Sequence, residues 1–329
     1  MIRLGLCCIF REAPIRFRRT TATAMAKLPR AEQRRRLADI CLHNADSLMA
    51  ALAYCQRLGI GAFRINSQIL PLITHPQQGY RINDLPHHTA IIERFRECGA
   101  FARKHDIRTS LHPDQFVVIG SPKDTVRRKS IQELIYQAMV AEWVNADVIN
   151  IHAGGVYGDK SGNLKRLATV IKELPDNVRS RLTLENDDRS YTPADLLHLC
   201  RQTGVPLVYD VHHHRCLPDG LGEVEATEAA LATWQREPLF HISSPLERSE
   251  DKVDCRHHDY IRADDFPVGW RGLRITVDVE AKAKELAVLQ LQQSLTIRAV
   301  QGPAPADEAS PSWDLSAATS SHMANGLHR

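Results

Sequence analysis

Residues 147–155 read DVINIHAGG, a β-branched apolar run that ends in an imidazole and a pair of glycines. The run reads as a buried strand, so the histidine sits at the end of a segment built for the interior. A lone buried histidine is more often a satisfied core residue than a ligand, and His152 gains meaning only if the pattern recurs. Similar apolar runs lie at 2–6 (IRLGL), 61–66 (GAFRIN), 107–112 (IRTSLH), 181–186 (RLTLEN), 206–211 (PLVYDV), 238–243 (PLFHIS) and 273–280 (LRITVDVE), which brings the strands to eight. Amphipathic segments separate them. RRLADICLHNADSLMAALAYCQRLG has apolar residues at spacings of three and four and closes on Gly59, TPADLLHLCRQTG has Thr192 as N-cap and Gly204 as its stop, and DTVRRKSIQELIYQAMVAEWVNA opens on Asp124. Eight strands, each followed by a helix, predict an α/β fold of the (β/α)8 TIM-barrel type, because parallel strands need crossover helices and a closed ring removes sheet edges. A doubly wound open sheet is the alternative.

Length and composition agree. A chain of 329 residues fits one barrel domain, 1–298, followed by a tail, 299–329, that is rich in Ala, Ser and Pro, lacks periodicity and is expected to be disordered. The net charge is only +3, yet residues 11–36 hold nine Lys/Arg against two acids, in a stretch (7–36) that reads as a long, irregular loop, of the kind that is usually functional or mobile. Eight scattered cysteines without a C-x-x-C pair indicate neither a disulfide framework nor a zinc–thiolate site, so a reducing, cytoplasmic setting is expected. The run LGLCCIF is about half the length of a good signal sequence's apolar core. No stretch approaches the roughly 18 apolar residues of a membrane span. A monomer without a membrane partner is expected.

Polar residues end the strands. His112 ends the third, His152 the fourth and Glu185 the fifth; Asp210 closes the sixth with His213 just beyond; His241 ends the seventh and Glu280 the eighth. His75 follows the second strand and His257 the seventh. In a (β/α)8 barrel these ends converge on the face that carries the active site. Individually Glu185 could cap the next segment, His212–His214 could decorate the surface and Asp210 could pair with an arginine. Together they would be costly to bury without compensation, which cations at their centre supply. A purely structural polar network is the competing reading. The imidazole–carboxylate mixture without cysteine favours Mn2+, Zn2+ or a similar ion. The ligands outnumber what one ion takes, so two or three ions bridged by carboxylates are expected, an arrangement suited to phosphodiester cleavage.

The segments RINSQILPLITHP, TSLHPDQF, NIHAGGVYG, LTLENDD, VYDVHHH, HISSP, RHHDYI and DVEAKAKE resemble, in order and spacing, the signature segments of the UV damage endonucleases. The resemblance runs from Met1 to about residue 295. It implies a TIM barrel related to the apurinic-site endonucleases that nicks damaged double-stranded DNA immediately 5′ to cyclobutane dimers, 6-4 photoproducts and some other lesions such as abasic sites. It also implies a divalent cluster with Mn2+ as the usual metal and Zn2+, Co2+ or Mg2+ as alternatives. By motif, His112, His152 and Glu185 would surround one ion, Glu185 would bridge to a second held by Asp210, His241 and Glu280, and His213 and His257 would belong to a third position. His257 is preferred to His258 because the family histidine stands two residues before the aspartate. Glu185, Asp210, Glu280 and Lys282 would be the catalytic residues, and His75 would contact metal or phosphate.

Lesion recognition falls by resemblance to Gln115 and Phe116. Physically, a side-chain wedge fills the space of extruded bases, and damaged bases unstack at lower cost; alternatively Phe116, heading FVVIG, belongs to the core. Two positions depart from the family pattern: Leu6, where many relatives have an aromatic, so that one probing contact is missing or replaced by an apolar wedge, and Leu239, where they commonly have a lysine. Arg16, Arg18 and Arg19 of the basic segment are expected on DNA phosphates. The rival readings are a divalent-metal sugar isomerase or epimerase of the same barrel superfamily and a non-catalytic DNA-binding module.

Overall fold

The computed structural model describes residues 2–248 and 253–301, with side chains through 296. All eight expected strands form: β1 (Arg3–Cys7), β2 (Ala62–Ile65), β3 (Arg108–Leu111), β4 (Val148–His152), β5 (Leu182–Glu185), β6 (Leu207–Val208), β7 (Leu239–Ile242) and β8 (Thr276–Val279). They lie in the order β6-β5-β4-β3-β2-β1-β8-β7, every ladder parallel. The two outer strands meet through a parallel bridge between Asp210 and His241, with His241 N–H donating to the Tyr209 carbonyl at 3.0 Å. That contact nearly closes the ring and excludes the open doubly wound sheet.

The helices are α1 (Ala22–Ala26), α2 (Arg30–Arg57), α3 (His88–Lys104), α4 (Asp124–Val144), α5 (Lys160–Glu173), α6 (Asp176–Arg179), α7 (Pro193–Thr203), α8 (Val211–Cys216), α9 (Glu223–Leu231) and α10 (Glu285–Gln301). The ends of α7 follow from its sequence. Thr192 and Asp195 cap each other reciprocally, Pro193 occupies the first turn, and Gly204 takes φ +73° at the stop, a left-handed conformation open to glycine.

The pleat sorts the strand residues into two layers. Leu4, Leu6, Phe63, Ile65, Ile149, Ile151, Phe240, Ile242, Val277 and Val279 pack outward into the main core beneath the helices, while Val148, Val208 and Leu239 form a small separate apolar cluster with Trp234. Alternation therefore sends Asn150 and His152, Thr183 and Glu185, and Asp278 and Glu280 to the barrel interior.

Three expectations change. Residues 30–36 are not part of a loop but the first turns of α2; their charge hides a stripe of buried Gln33, Leu37 and Ile40 that continues the helix's inner face. Leu6 is fully buried. It lies opposite Phe63 and Val279 in the ladders and points into the helix layer, so it is no wedge; the β1 end instead presents Ile9, 44% exposed, at the mouth. At the other end α10 runs to Gln301, past the expected start of the tail, and the tail from 302 on lies outside the described residues.

Candidate metal centre

Four imidazoles converge on one carboxylate. Glu185, 1% exposed, has His112 Nε2 2.9 Å and His152 Nε2 3.9 Å from Oε2, and His241 Nδ1 3.1 Å and His213 Nδ1 3.3 Å from Oε1. The parallel register puts His152 directly opposite Glu185 across β4 and β5. Two overlapping groups, His112–His152–Glu185 and Glu185–Asp210–His241, have ligand atoms within 4.8 Å of one another. Asp210 is held in place by Asn186, whose side chain exchanges two hydrogen bonds with its backbone (2.8 and 2.9 Å). Its Oδ1 accepts from His213 N–H as the N-cap of α8, which leaves Oδ2 facing His213 Nδ1 at 3.5 Å.

Glu280 adjoins the second group, with Oε1 3.4 Å from His241 Nδ1, and His257 Nδ1 lies 3.8 Å from Glu280 Oε2. His258 instead caps the backbone N–H of Tyr260. The neighbouring histidines of the triplet divide their work: His212 is buried against the Cys255 carbonyl, and His214 bridges Tyr209 and Asp219 inside the fold. His75 stands apart from the cluster. Its Nδ1 accepts from the backbone N–H groups of Gln77 and Gln78, and its ring lines a neighbouring depression of about 480 Å³.

The cluster's electrostatics call for positive charge. Burial would raise the Glu185 carboxyl, but the charges of His241 and His152 and hydrogen bonds from His112 and His213 hold it well below the usual carboxylate range. Burial would lower His213, but Asp210 and Glu185 push it well above its ordinary value; His241 rises for a similar reason, with Glu185 outweighing burial. Burial lowers His112 in spite of Glu185, which keeps it neutral and available as a ligand. His152 Nδ1 and Asp210 Oδ2 are buried without a hydrogen-bond partner. Each such group costs about 1–3 kcal/mol. A divalent cation answers both the charge and the missing partners, and the imidazole–carboxylate donor set suits a first-row ion.

Above the cluster opens a cavity of about 520 Å³ bordered by His112, His257 and Glu280 and by the cations Arg19, Arg64, Lys282 and Lys284. Of the three arginines expected on DNA, Arg19 reaches this cavity; Arg16 spends Nη1 on the Ala13 and Ile15 carbonyls (2.6 and 2.9 Å). Gln115 lines the same cavity, and Phe116, 77% exposed, lines the adjoining depression, so Phe116 is not core. Leu239 lies with Val148 and Val208, below the cluster.

Three supporting residues escaped the sequence reading. Asn150 Nδ2 donates to Glu185 Oε2, and Arg64 donates to both Asp278 and Glu280. Their signal was positional: Asn150 and Asp278 stand two residues before His152 and Glu280, on the same face of their strands.

Fold and site together define a TIM-barrel enzyme with a buried imidazole–carboxylate centre at the C-terminal ends of its strands. The family described as UV-endonuclease UvdE matches residues 2–308, and the chain belongs to that family. It is thus an endonuclease, a phosphodiester hydrolase, rather than a sugar isomerase. A UV DNA damage endonuclease of Bacillus velezensis is 34% identical over 307 residues, covering 89% of this chain and 93% of the relative. The crystal structure of SacUVDE superimposes with a TM-score of 0.80 at 25% identity, covering 92% of this chain and 99% of that one. Endonuclease IV from Thermus thermophilus shares the fold, with a TM-score of 0.58 at 16% identity over 78% of this chain and 95% of its own.

Proposed function

We propose that this chain nicks double-stranded DNA immediately 5′ to cyclobutane pyrimidine dimers and 6-4 photoproducts, and acts at abasic sites, with a cluster of two or three divalent ions of which Mn2+ is the expected metal. One observation carries the reading: four imidazoles share the buried Glu185 carboxylate, and one of them, His112, also borders a cavity lined by Arg19, Lys282 and Lys284. His112, His152 and Glu185 would hold one ion, Glu185, Asp210, His241 and Glu280 a second, and His213 and His257 a third. Bound there, the ions supply an activated water and charge stabilisation for the leaving oxygen.

The chain's own groups do the rest. Lys282, Lys284 and Arg19 draw the phosphate backbone to the cavity mouth and neutralise its charge. Gln115 and Phe116 lie three and four residues beyond His112, so a wedge on this loop is held in register with the scissile phosphate. The reading extends to a monomer in a reducing, cytoplasmic setting, which eight unpaired cysteines support. Among the described residues no helix is long and apolar enough to cross a membrane.

The test uses purified full-length chain with Mn2+ and a duplex bearing one defined photoproduct. A nick 5′ to the lesion that chelator removes and Mn2+ restores supports the proposal. Lesion binding without any metal-dependent nick would make the chain a binding module and overturn it.

A further inference from the structure

Inside the barrel, beside the centre, sits a cation that the cluster chemistry does not call for. Arg64, on β2 and 7% exposed, donates from Nε to Asp278 Oδ2 at 3.0 Å and from Nη2 to Glu280 Oε1 at 2.6 Å, and the same Nη2 lies 3.3 Å from His241 Nε2. Asp278 is 1% exposed, its Oδ1 has no hydrogen-bond partner, and a Cβ on Gly5 of β1 would collide with that oxygen. The fold thus keeps space for a buried carboxylate that anchors one arginine and whose Oδ2 also lies 3.9 Å from His241 Nε2.

Burying an arginine costs several kcal/mol unless its geometry is well satisfied, and a buried pair is weak evidence for stability in itself. The guanidinium is planar and permanently charged, so once Asp278 fixes Nε the direction of Nη2 is set as well. That fixed donor holds one oxygen of Glu280 and leaves Oε2 turned to His257 at 3.8 Å. It also abuts the Nε2 edge of His241, whose Nδ1 faces Glu185. Groups that orient metal ligands from outside commonly carry a tenfold to hundredfold share of metal affinity.

We infer that Arg64 and Asp278 form a positioning unit that orients Glu280 and His241 for the ion on their side of the centre, an inference that rests on the metal-dependent reading above. Neither residue need touch DNA.

Arg64→Lys, Arg64→Gln, Asp278→Asn and the double variant Arg64→Met/Asp278→Leu test it, the last removing the pair together so that Asp278 is not left buried without its cation, while Glu280 keeps His241 and His257 as neighbours. Mn2+ affinity and stoichiometry are measured by titration of the apoprotein, alongside thermal unfolding of the apoprotein and single-turnover nicking against DNA concentration. The expected result is a tenfold to hundredfold loss of affinity for one ion in Arg64→Gln, Asp278→Asn and the double variant, with a smaller loss in Arg64→Lys. The maximal nicking rate should fall while the DNA concentration at half-rate stays fixed. If folded variants bind Mn2+ as the wild type does and only the apoprotein melting temperature moves, the pair is a structural salt bridge and the inference fails. If single variants do not fold, the double variant decides between these outcomes. A wild-type chain that neither binds Mn2+ nor nicks would instead refute the proposed function itself.

Discussion

Asn150 Nδ2 donates to Glu185 Oε2 at 2.5 Å, and the same oxygen faces His112 Nε2 at 2.9 Å. Asn150 Oδ1 in turn accepts from Thr183 Oγ1 at 2.9 Å, so the orientation of the side-chain amide is fixed by its own neighbour in β5. The central carboxylate is therefore aimed by a hydrogen-bonded chain that runs across two strands.

Replacing that carboxylate should abolish nicking without unfolding the barrel. In Glu185→Gln the site loses the carboxylate charge on which four imidazoles converge, and Mn2+ uptake should fall with activity while circular dichroism is unchanged. Asn150→Ala should be milder, lowering metal affinity by about 10- to 100-fold. Wild-type nicking by Glu185→Gln would show that the centre is not the catalytic one.

The exposed position of Phe116 separates recognition from folding. Gln115→Ala with Phe116→Ala should shift stability by no more than about 0.5 kcal/mol, as surface changes do. Losing one stacked aromatic should weaken lesion binding roughly tenfold to a hundredfold. The comparison is binding to lesion and intact duplexes with metal content determined on the same preparations; an undiminished lesion preference would place the wedge elsewhere, with Ile9 at the end of β1 the next residue to replace.

Salt dependence tests the basic segment. Arg16, Arg18 and Arg19 are exposed, and Arg19 lines the cavity. Replacing all three by Ala should weaken binding to damaged and undamaged DNA alike, and each lost phosphate contact should flatten the slope of log K against log salt by about 0.9. Arg16 should contribute least, because it already donates to the Ala13 and Ile15 carbonyls. A slope identical to wild type would mean that the segment is merely solvated.

Away from the centre, Glu237 should make the fold sensitive to acid. It accepts from Arg3 Nε at 2.9 Å and from Thr276 Oγ1 at 2.6 Å, and although burial would raise its carboxyl, these partners hold it below the ordinary value. A carboxylate depressed in the folded state binds protons less readily there than in the unfolded chain. Its stabilisation is therefore complete above the unfolded value of about 4.3 and is lost as pH falls through the folded value. Thermal melts of Glu237→Gln should depend less steeply on pH below about 4.3 than those of wild type, and parallel curves would remove Glu237 from the acid transition.

The sequence alone determined the eight strands, the barrel and the imidazoles and carboxylates at the strand ends, because strand period and helix spacing are local properties and a barrel carries every strand end to one face. Resemblance of the motif segments supplied the family. Tertiary structure alone decided which groups meet. Glu185 became the shared carboxylate only when β3, β4, β7 and α8 delivered imidazoles to it, contacts spanning up to 73 positions in sequence. Arg64 met Asp278 and Glu280 across 214 and 216 positions, beyond the reach of any local pattern. The side that Leu6 faces was likewise a matter of the pleat: with Gly5 turned inward toward Asp278, its neighbour had to turn outward into the helix layer. Residue type announced the chemistry, but distance, burial and unsatisfied atoms depend on how separate segments close in space.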